Sequence, residues 1–141
     1  MSTRLKNKEE RIQQILERLA EANENNTPIV VEGKKDIETL RTLGITGEII
    51  TAKKGGRSLI DILQAIESKQ PKEVILLLDF DRRGKETTHF LKNHLERARI
   101  IPNLKFWTQL DLLVSRQVKD IEGLAAYMET LKRKLSSNPQ T

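Results

Sequence analysis

Residues 73–84 have the sequence EVILLLDFDRRG, in which an unbroken apolar run leads directly into two aspartates. Residues 74–78 are all Val, Ile or Leu, and such a run is typical of a strand that helices cover on both faces of a sheet. We therefore predict the central strand of a parallel sheet over residues 73–79. The aspartates then lie at its carboxyl end, where open parallel sheets usually bind their ligands.

Further strand patterns lie on both sides of this segment and alternate with helical patterns. The predicted strands cover residues 29–31, 48–52 and, after Pro102 and Asn103, about 104–107. Apolar spacing predicts helices over residues 4–25, 36–43, 58–68, 85–99, 109–115 and 121–135. Ser58 and Asp61 have the spacing of a capping box at the start of one of these helices. The alternation predicts an α/β fold built on a parallel sheet.

The length favours a single domain, and the net positive charge favours binding to anions. The chain has 141 residues, a formal net charge of +5 and no cysteine, which excludes disulfides, thiolate chemistry and cysteine-ligated metals. We expect residues 1–27 to form an amphipathic helix packed on the domain. Residues 28–135 would then form the domain with its C-terminal helices, and residues 136–141 a disordered tail. No membrane span or signal peptide is evident, so we expect a cytoplasmic protein without a membrane partner.

Three acidic residues are the candidate metal ligands and catalytic groups. Asp79 and Asp81 are separated by Phe80, so in extended backbone both carboxylates point to the same side. Two carboxylates that close repel each other unless one is protonated or a cation lies between them. Oxygen ligands favour Mg²⁺, with Mn²⁺ as the alternative. Glu32 follows another predicted strand and would complete the cluster or act as a general acid or base. A solvated turn is the alternative interpretation of the Asp pair.

Basic residues and glycines follow each of these strand ends. The segment 53–58, KKGGRS, places glycines and cations at a helix start, which suits a phosphate but lacks a complete Walker pattern. Cations beside carboxylates make sense for a metal bridged to a polyanion, although helix-end salt bridges would explain at least one of them. The predicted phosphate-binding and nucleic-acid-binding residues are Lys34, Lys35, Lys53, Lys54, Gly55, Gly56, Arg57, Arg82, Arg83 and Lys85.

Two of these motifs resemble those of a known family. Residues 31–33, VEG, and 79–84, DFDRRG, are similar to the glutamate motif and the Asp-x-Asp motif of Toprim domains. Toprim domains form the catalytic unit of primases, type IA and type II topoisomerases, the ribonuclease that matures 5S ribosomal RNA, and OLD-family nucleases. Residues 55–56 are similar to the glycine-containing loop of primase-type members. The architecture resembles that of small stand-alone prokaryotic Toprim proteins.

The resemblance implies a Rossmann-like, three-layer α/β/α fold with a mainly parallel four-stranded sheet. It also implies Mg²⁺ at Asp79 and Asp81, with Glu32 as acid/base or further ligand. In type IA topoisomerases an acidic residue directly follows the glycine, whereas here that residue is Lys85, so a second metal of that type is not expected. Tyr127 lies in a helical pattern and is interpreted as a packing residue.

We expect a Mg²⁺-dependent nuclease that acts on RNA or DNA. The alternatives are a nucleic-acid-binding or adaptor module that needs a protein partner for any chemistry, and a primase-like nucleotidyl transferase. Asp120 and Glu122 are interpreted as capping residues of the final helix. His89 and His94 are interpreted as surface residues on different helix faces. Trp107 is expected to end a strand and to pack on Phe90 or Phe106.

Overall fold

A four-stranded sheet forms the middle layer of the chain, for which a computed structural model describes residues 2–53 and 58–136. The strands are β1 (Ile29–Val31), β2 (Ile49–Thr51), β3 (Glu73–Leu76) and β4 (Ile101–Asn103). The helices are α1 (Ser2–Glu24), α2 (Lys34–Thr42), α3 (Leu59–Ser68), α4 (Arg82–Arg97), α5 (Lys105–Val114) and α6 (Ile121–Ser136). None of the helices in these ranges is long and apolar enough to cross a membrane.

The sheet has the order β2-β1-β3-β4 and every pairing is parallel. Residues on successive positions of β3 face opposite sides of the sheet and enter two separate cores. Ile75 packs with α1, α5 and α6, whereas Val74 and Leu76 pack with α3 and α4. This double burial is why the strand is apolar at every position. The α/β class and the three-layer parallel architecture are therefore confirmed.

The final strand was predicted in the wrong place. Residues 104–107 are not a strand, because α5 begins at Lys105 and β4 lies earlier, at Ile101–Asn103. Proline usually interrupts a sheet because it has no N–H to donate. Pro102 is tolerated since β4 is an edge strand, where it pairs on one side only, with Val74 of β3 as the register partner.

Helix and strand limits also differ from the sequence-based ones. The helices α2 and α4 begin at Lys34 and Arg82, earlier than predicted, so each starts within two residues of a candidate acid. Strand β3 ends at Leu76 rather than at residue 79. The capping box of α3 is confirmed, because Ser58 Oγ accepts from Asp61 N and Asp61 Oδ2 accepts from Ser58 N. α6 ends at Ser136, and residues 137–141 of the predicted tail lie outside the described residues.

Asn23 connects the end of α1 to the amino ends of two strands. Its side chain is buried, and its Nδ2 donates to the carbonyl oxygens of Thr27 and Glu48 at 3.1 and 3.0 Å. Its Oδ1 accepts from the backbone N–H of Gly47 at 2.6 Å. One amide side chain thus satisfies three backbone groups just before β1 and β2.

Replacing this side chain is expected to destabilise the fold. Asn23→Ala removes the side-chain partner of three backbone groups, although Glu48 O keeps its bond from Ile29 N, and we expect the free energy of unfolding to fall by about 2–4 kcal/mol. Urea denaturation measures the change. Asn25→Ala, two residues further on at an exposed position, is the matched control and should stay within about 0.5 kcal/mol of the wild type. Equal stability of the two variants would contradict the role assigned to Asn23.

Candidate metal and nucleic-acid site

The candidate acids lie at the carboxyl edge of the sheet, on neighbouring strands. Glu32 directly follows β1, and β1 pairs with β3 in a register that places Val30 opposite Leu76. Beyond β3, Leu77 still donates its N–H to Val30 O at 2.8 Å, so the extended chain runs on towards Asp79. The expectation that Glu32 leaves a strand adjacent to the aspartates is confirmed.

Three contacts hold the segment that carries the aspartates. Phe80 is buried, and its ring lies 6.1 Å from that of Trp107, centroid to centroid. The indole Nε1 of Trp107 donates to Leu78 O at 2.9 Å. The backbone N–H of Phe80 donates to Lys119 O at 2.7 Å, in the loop between α5 and α6. The C-terminal helices therefore set the position of the segment between Asp79 and Asp81.

Trp107 differs from the sequence-based expectation in both element and partner. It lies in α5 rather than at the end of a strand, and its ring partner is Phe80 rather than Phe90 or Phe106. Phe90 instead stacks with His94, at 4.2 Å between ring centroids. His89 and His94 each bond within α4, to Asn93 and to Phe90 O respectively.

Asp81 is the N-cap residue of α4, and Gly84 allows the helix to approach the strand end. Asp81 Oδ1 accepts from Gly84 N at 2.8 Å, which caps the helix. A Cβ atom on Gly84 would lie 2.1 Å from Asp79 O and 2.8 Å from Asp79 Cβ, far inside van der Waals contact. By contrast, a Cβ on Gly33 would meet nothing within 4 Å. The glycine after the Asp pair is thus required by packing of helix on strand end.

Gly84→Ala should therefore force α4 away from Asp79. Overpacking against backbone usually costs about 1–3 kcal/mol, and we expect a loss of unfolding free energy at the upper end of that range. Gly33→Ser is the control, because the site has room and serine is a preferred N-cap residue; it should change stability by less than about 0.5 kcal/mol. Urea denaturation of both variants tests this, and a fully stable Gly84→Ala protein would refute the close approach.

Glu32 is buried with one oxygen unsatisfied. Its side chain is 8% exposed, and Oε2 has no hydrogen-bond partner among the described residues. Oε1 lies 3.8 Å from Lys53 Nζ, which is half exposed. Burial raises the pKa of Glu32; Lys53 and Arg83 oppose this rise, and Asp81 and Asp36 add to it. A buried carboxylate with a free oxygen is costly unless a proton or a cation occupies that position.

Asp79 has the most strongly shifted pKa of the acids at this edge. Burial, followed by the charges of Glu32, Asp36, Asp120 and Asp81, raises the pKa of Asp79 to about 7. Four other carboxylates therefore act on one half-buried aspartate. Such strongly shifted acids are typical of functional sites, because structure alone seldom gathers like charges.

Asp36 is a member of this acidic group that sequence reasoning missed. It is buried in the first turn of α2, and its Oδ2 accepts from Gly33 N at 3.1 Å. Burial raises the pKa of Asp36, while the backbone N–H groups of Gly33 and Glu122 lower it. The sequence signal was a second acid, after Glu32, in the segment 31–36, VEGKKD. Asp120 is also near and caps α6 by accepting from Gly123 N at 2.6 Å, which confirms the capping interpretation.

The donor set fits a hard divalent cation. Every acid at this edge offers carboxylate oxygen, the ligand that Mg²⁺ prefers, and Glu32 Oε2 lacks a partner within the described residues. A cation would relieve both the repulsion on Asp79 and the unsatisfied oxygen of Glu32. Within residues 2–53 and 58–136, no three ligating side chains converge closely enough to surround an ion as they stand.

The predicted phosphate-binding residues fall into three groups. Lys53 and Arg83 act on Glu32. Lys34 and Lys35 are exposed at the start of α2, and Lys85 is exposed on α4. Arg82 is paired with Glu86 at 3.3 Å, a helix-surface salt bridge of the kind anticipated for at least one of these cations. Lys54, Gly55, Gly56 and Arg57 lie outside the described residues.

The raised pKa of Asp79 gives a pH dependence that can be measured without any substrate. An acid whose pKa is higher in the folded than in the unfolded protein favours folding at low pH, and this contribution is lost as pH rises through about 7. In EDTA, wild-type stability should therefore decline between pH 5 and pH 8 more than that of Asp79→Asn. Mg²⁺ should restore the wild type at pH 8. Parallel stability curves for both proteins would contradict this assignment.

Comparisons with known proteins agree with this arrangement. A family model described as "Toprim domain" matches residues 27–108. The UPF0292 protein of Methanosarcina acetivorans is 35% identical over 125 residues, covering 89% of this chain and 85% of that protein. The UPF0292 protein of Methanocaldococcus jannaschii is 36% identical, covering 84% and 91%. A solved structure from Aquifex aeolicus has a TM-score of 0.64 at 26% identity, covering 77% of this chain and 94% of that one.

Proposed function

We propose that this chain, which belongs to the Toprim family and to the UPF0292 proteins, is a Mg²⁺-dependent nuclease. The family match supports a broad functional class, namely a metal-dependent function related to nucleic acids. Phosphodiester cleavage of RNA or DNA is our specific proposal. Asp79 and Asp81 would hold the ion, and Glu32 would exchange a proton.

The observation that carries this proposal is the pairing of two unusual acids on adjacent strand ends. Glu32 is buried with Oε2 unsatisfied within the described residues, and Asp79 has a pKa raised to about 7 beside four other carboxylates. Neither state is favourable for folding alone. Both become favourable when a cation and a phosphate enter, which supports a binding role for this edge.

The proposed chemistry divides between the ion and the side chains. Bound Mg²⁺ supplies charge stabilisation for a phosphate and lowers the pKa of bound water. Because its pKa is raised, Glu32 can hold a proton closer to neutral pH and pass it to a leaving oxygen, or accept one from a nucleophile. Asp36 and Asp120, fixed by helix-start N–H groups, would keep Asp79 dependent on the cation.

Lys53 and Arg83 would bind the phosphate next to the ion. Each is close enough to Glu32 to oppose the rise of its pKa, so each lies beside the acids while remaining exposed to solvent. Cations at that position neutralise the phosphate that the carboxylates would otherwise repel. They would also make binding sensitive to salt.

Cleavage of labelled single- and double-stranded RNA and DNA with Mg²⁺ or Mn²⁺ tests the proposal. We expect Glu32→Gln and Asp79→Asn each to lower the cleavage rate by at least about a hundredfold, as loss of a proton-transfer or metal group does. Glu86→Gln is the control, because Glu86 is exposed and pairs only with Arg82 among the described residues. It should cleave at the wild-type rate.

Metal binding has its own readout in the only tryptophan. Trp107 bonds to Leu78 O one residue before Asp79, so Mg²⁺ should change its fluorescence in the wild type and not in Asp79→Asn. Full cleavage in Asp79→Asn would rule out the proposed role of that residue. Salt-sensitive binding without cleavage would instead identify a binding module that needs a partner, and primer synthesis from nucleoside triphosphates would identify a transferase.

A further inference from the structure

A basic pocket lies between α1 and the C-terminal end of α5, outside the group of acids. It has a volume of about 600 Å³ and is lined by Arg4, Lys8, Arg11 and Arg116, with Leu112 and Gln117 beside them. No carboxylate is among the described residues that line it. The residues of α1 recur at positions i, i+4 and i+7, which places them on one helix face.

The cations of this pocket are largely unneutralised. Within residues 2–53 and 58–136, no ion pair involves Arg4, Arg11 or Arg116. Lys8 bonds to Gln117 Oε1 at 3.3 Å and lies 5.4 Å from the ring centroid of Tyr127. Helix surfaces usually interleave charges of both signs, so a concave lining whose charged residues are all cations indicates an anionic ligand.

The pocket is connected directly to the candidate metal site through one short loop. Gln117 lines the pocket, and two residues later Lys119 O accepts from Phe80 N at 2.7 Å, next to Asp79. Summing standard backbone dimensions puts the Cα atoms of Gln117 and Asp79 no more than about 18 Å apart. At about 3.4 Å per nucleotide of a stacked strand, that separation is at most about five nucleotide steps.

We propose that this basic pocket, which consists of Arg4, Lys8, Arg11 and Arg116, binds the phosphate backbone of the same nucleic acid within about five nucleotides of the metal site. The inference rests on the proposed function and extends it: the substrate is a strand long enough to span both sites. The concave shape and the direct link to the acids favour a nucleic-acid strand over a flat lipid surface. Leu112, 82% exposed at the rim, offers apolar contact to a sugar or base.

Oligonucleotides of two lengths separate the pocket from the metal site. A dinucleotide can occupy the metal site alone, whereas a single strand of 16 nucleotides reaches both. Arg11→Gln/Arg116→Gln removes two exposed charges from the pocket. Each lost phosphate contact on a single strand lowers the slope of log affinity against log salt by about 0.7, so two lost contacts lower it by about 1.4. If the wild type and the variant bind the 16-mer equally at 1 M salt, the variant should therefore bind it about 25-fold more weakly than the wild type at 0.1 M salt. Binding of the dinucleotide should not change.

A matched control removes the same net charge elsewhere. Lys72→Gln/Arg97→Gln alters two exposed residues near the amino edge of the sheet, before β3 and at the end of α4, and should bind both lengths as the wild type does. Arg4→Gln/Arg116→Gln is the second pocket variant should the first fold poorly. It should reproduce the same length-dependent loss.

The outcomes distinguish this inference from the proposed function. Equal 16-mer affinity and salt slope in wild type and pocket variant would overturn the pocket, whatever the metal site does. Binding of the wild type, but not the variant, to phosphatidylserine vesicles with unchanged 16-mer affinity would overturn it in favour of a lipid surface. A length-dependent loss without Mg²⁺-dependent cleavage would support the pocket while rejecting the nuclease.

Discussion

The concentration of five carboxylates, two of them buried, at one sheet edge is the constraint on which the rest of the structure depends. Burial and like charge both act on Asp79, and four further acids share its surroundings. The fold keeps this unfavourable group in place with two apolar cores, one on each face of the sheet. Folding energy from those cores offsets the electrostatic cost until a cation enters.

The helices that follow the sheet have a positional role at this edge. The family match ends at residue 108, yet Lys119 O binds Phe80 N and the cap of α6 places Asp120 near Asp36 and Asp79. Trp107 contributes the third contact, to Leu78 O. A strand end held by hydrogen bonds to the Lys119 carbonyl and from the Trp107 indole has little freedom to separate its charges. The C-terminal residues thus maintain the site electrostatically.

The sequence predicted the parts of this fold that depend on local patterns. The apolar run before Asp79 identified the central strand, and residues 31–33 identified its neighbour, because strand burial and turn chemistry are short-range properties. Strand β4 was misplaced because Pro102 has the chemistry of a breaker, and its tolerance depends on an edge position that only the assembled sheet defines. Asp36 and the Trp107 contact were missed since both depend on elements that are distant in sequence.

Acidic and basic side chains lie close together at this edge, which explains how one surface could bind both a cation and a polyanion. Glu32 and Asp36 are buried at the carboxyl edge, whereas Lys53 and Arg83 lie beside these acids and are exposed. An arriving phosphate meets positive charge first, which raises its local concentration. It meets the carboxylates only at the centre, where a divalent ion converts repulsion into attraction. A net charge of +5 with a local acidic centre is therefore consistent with the proposed function, in which the cations bind the strand and the acids bind the ion beneath it.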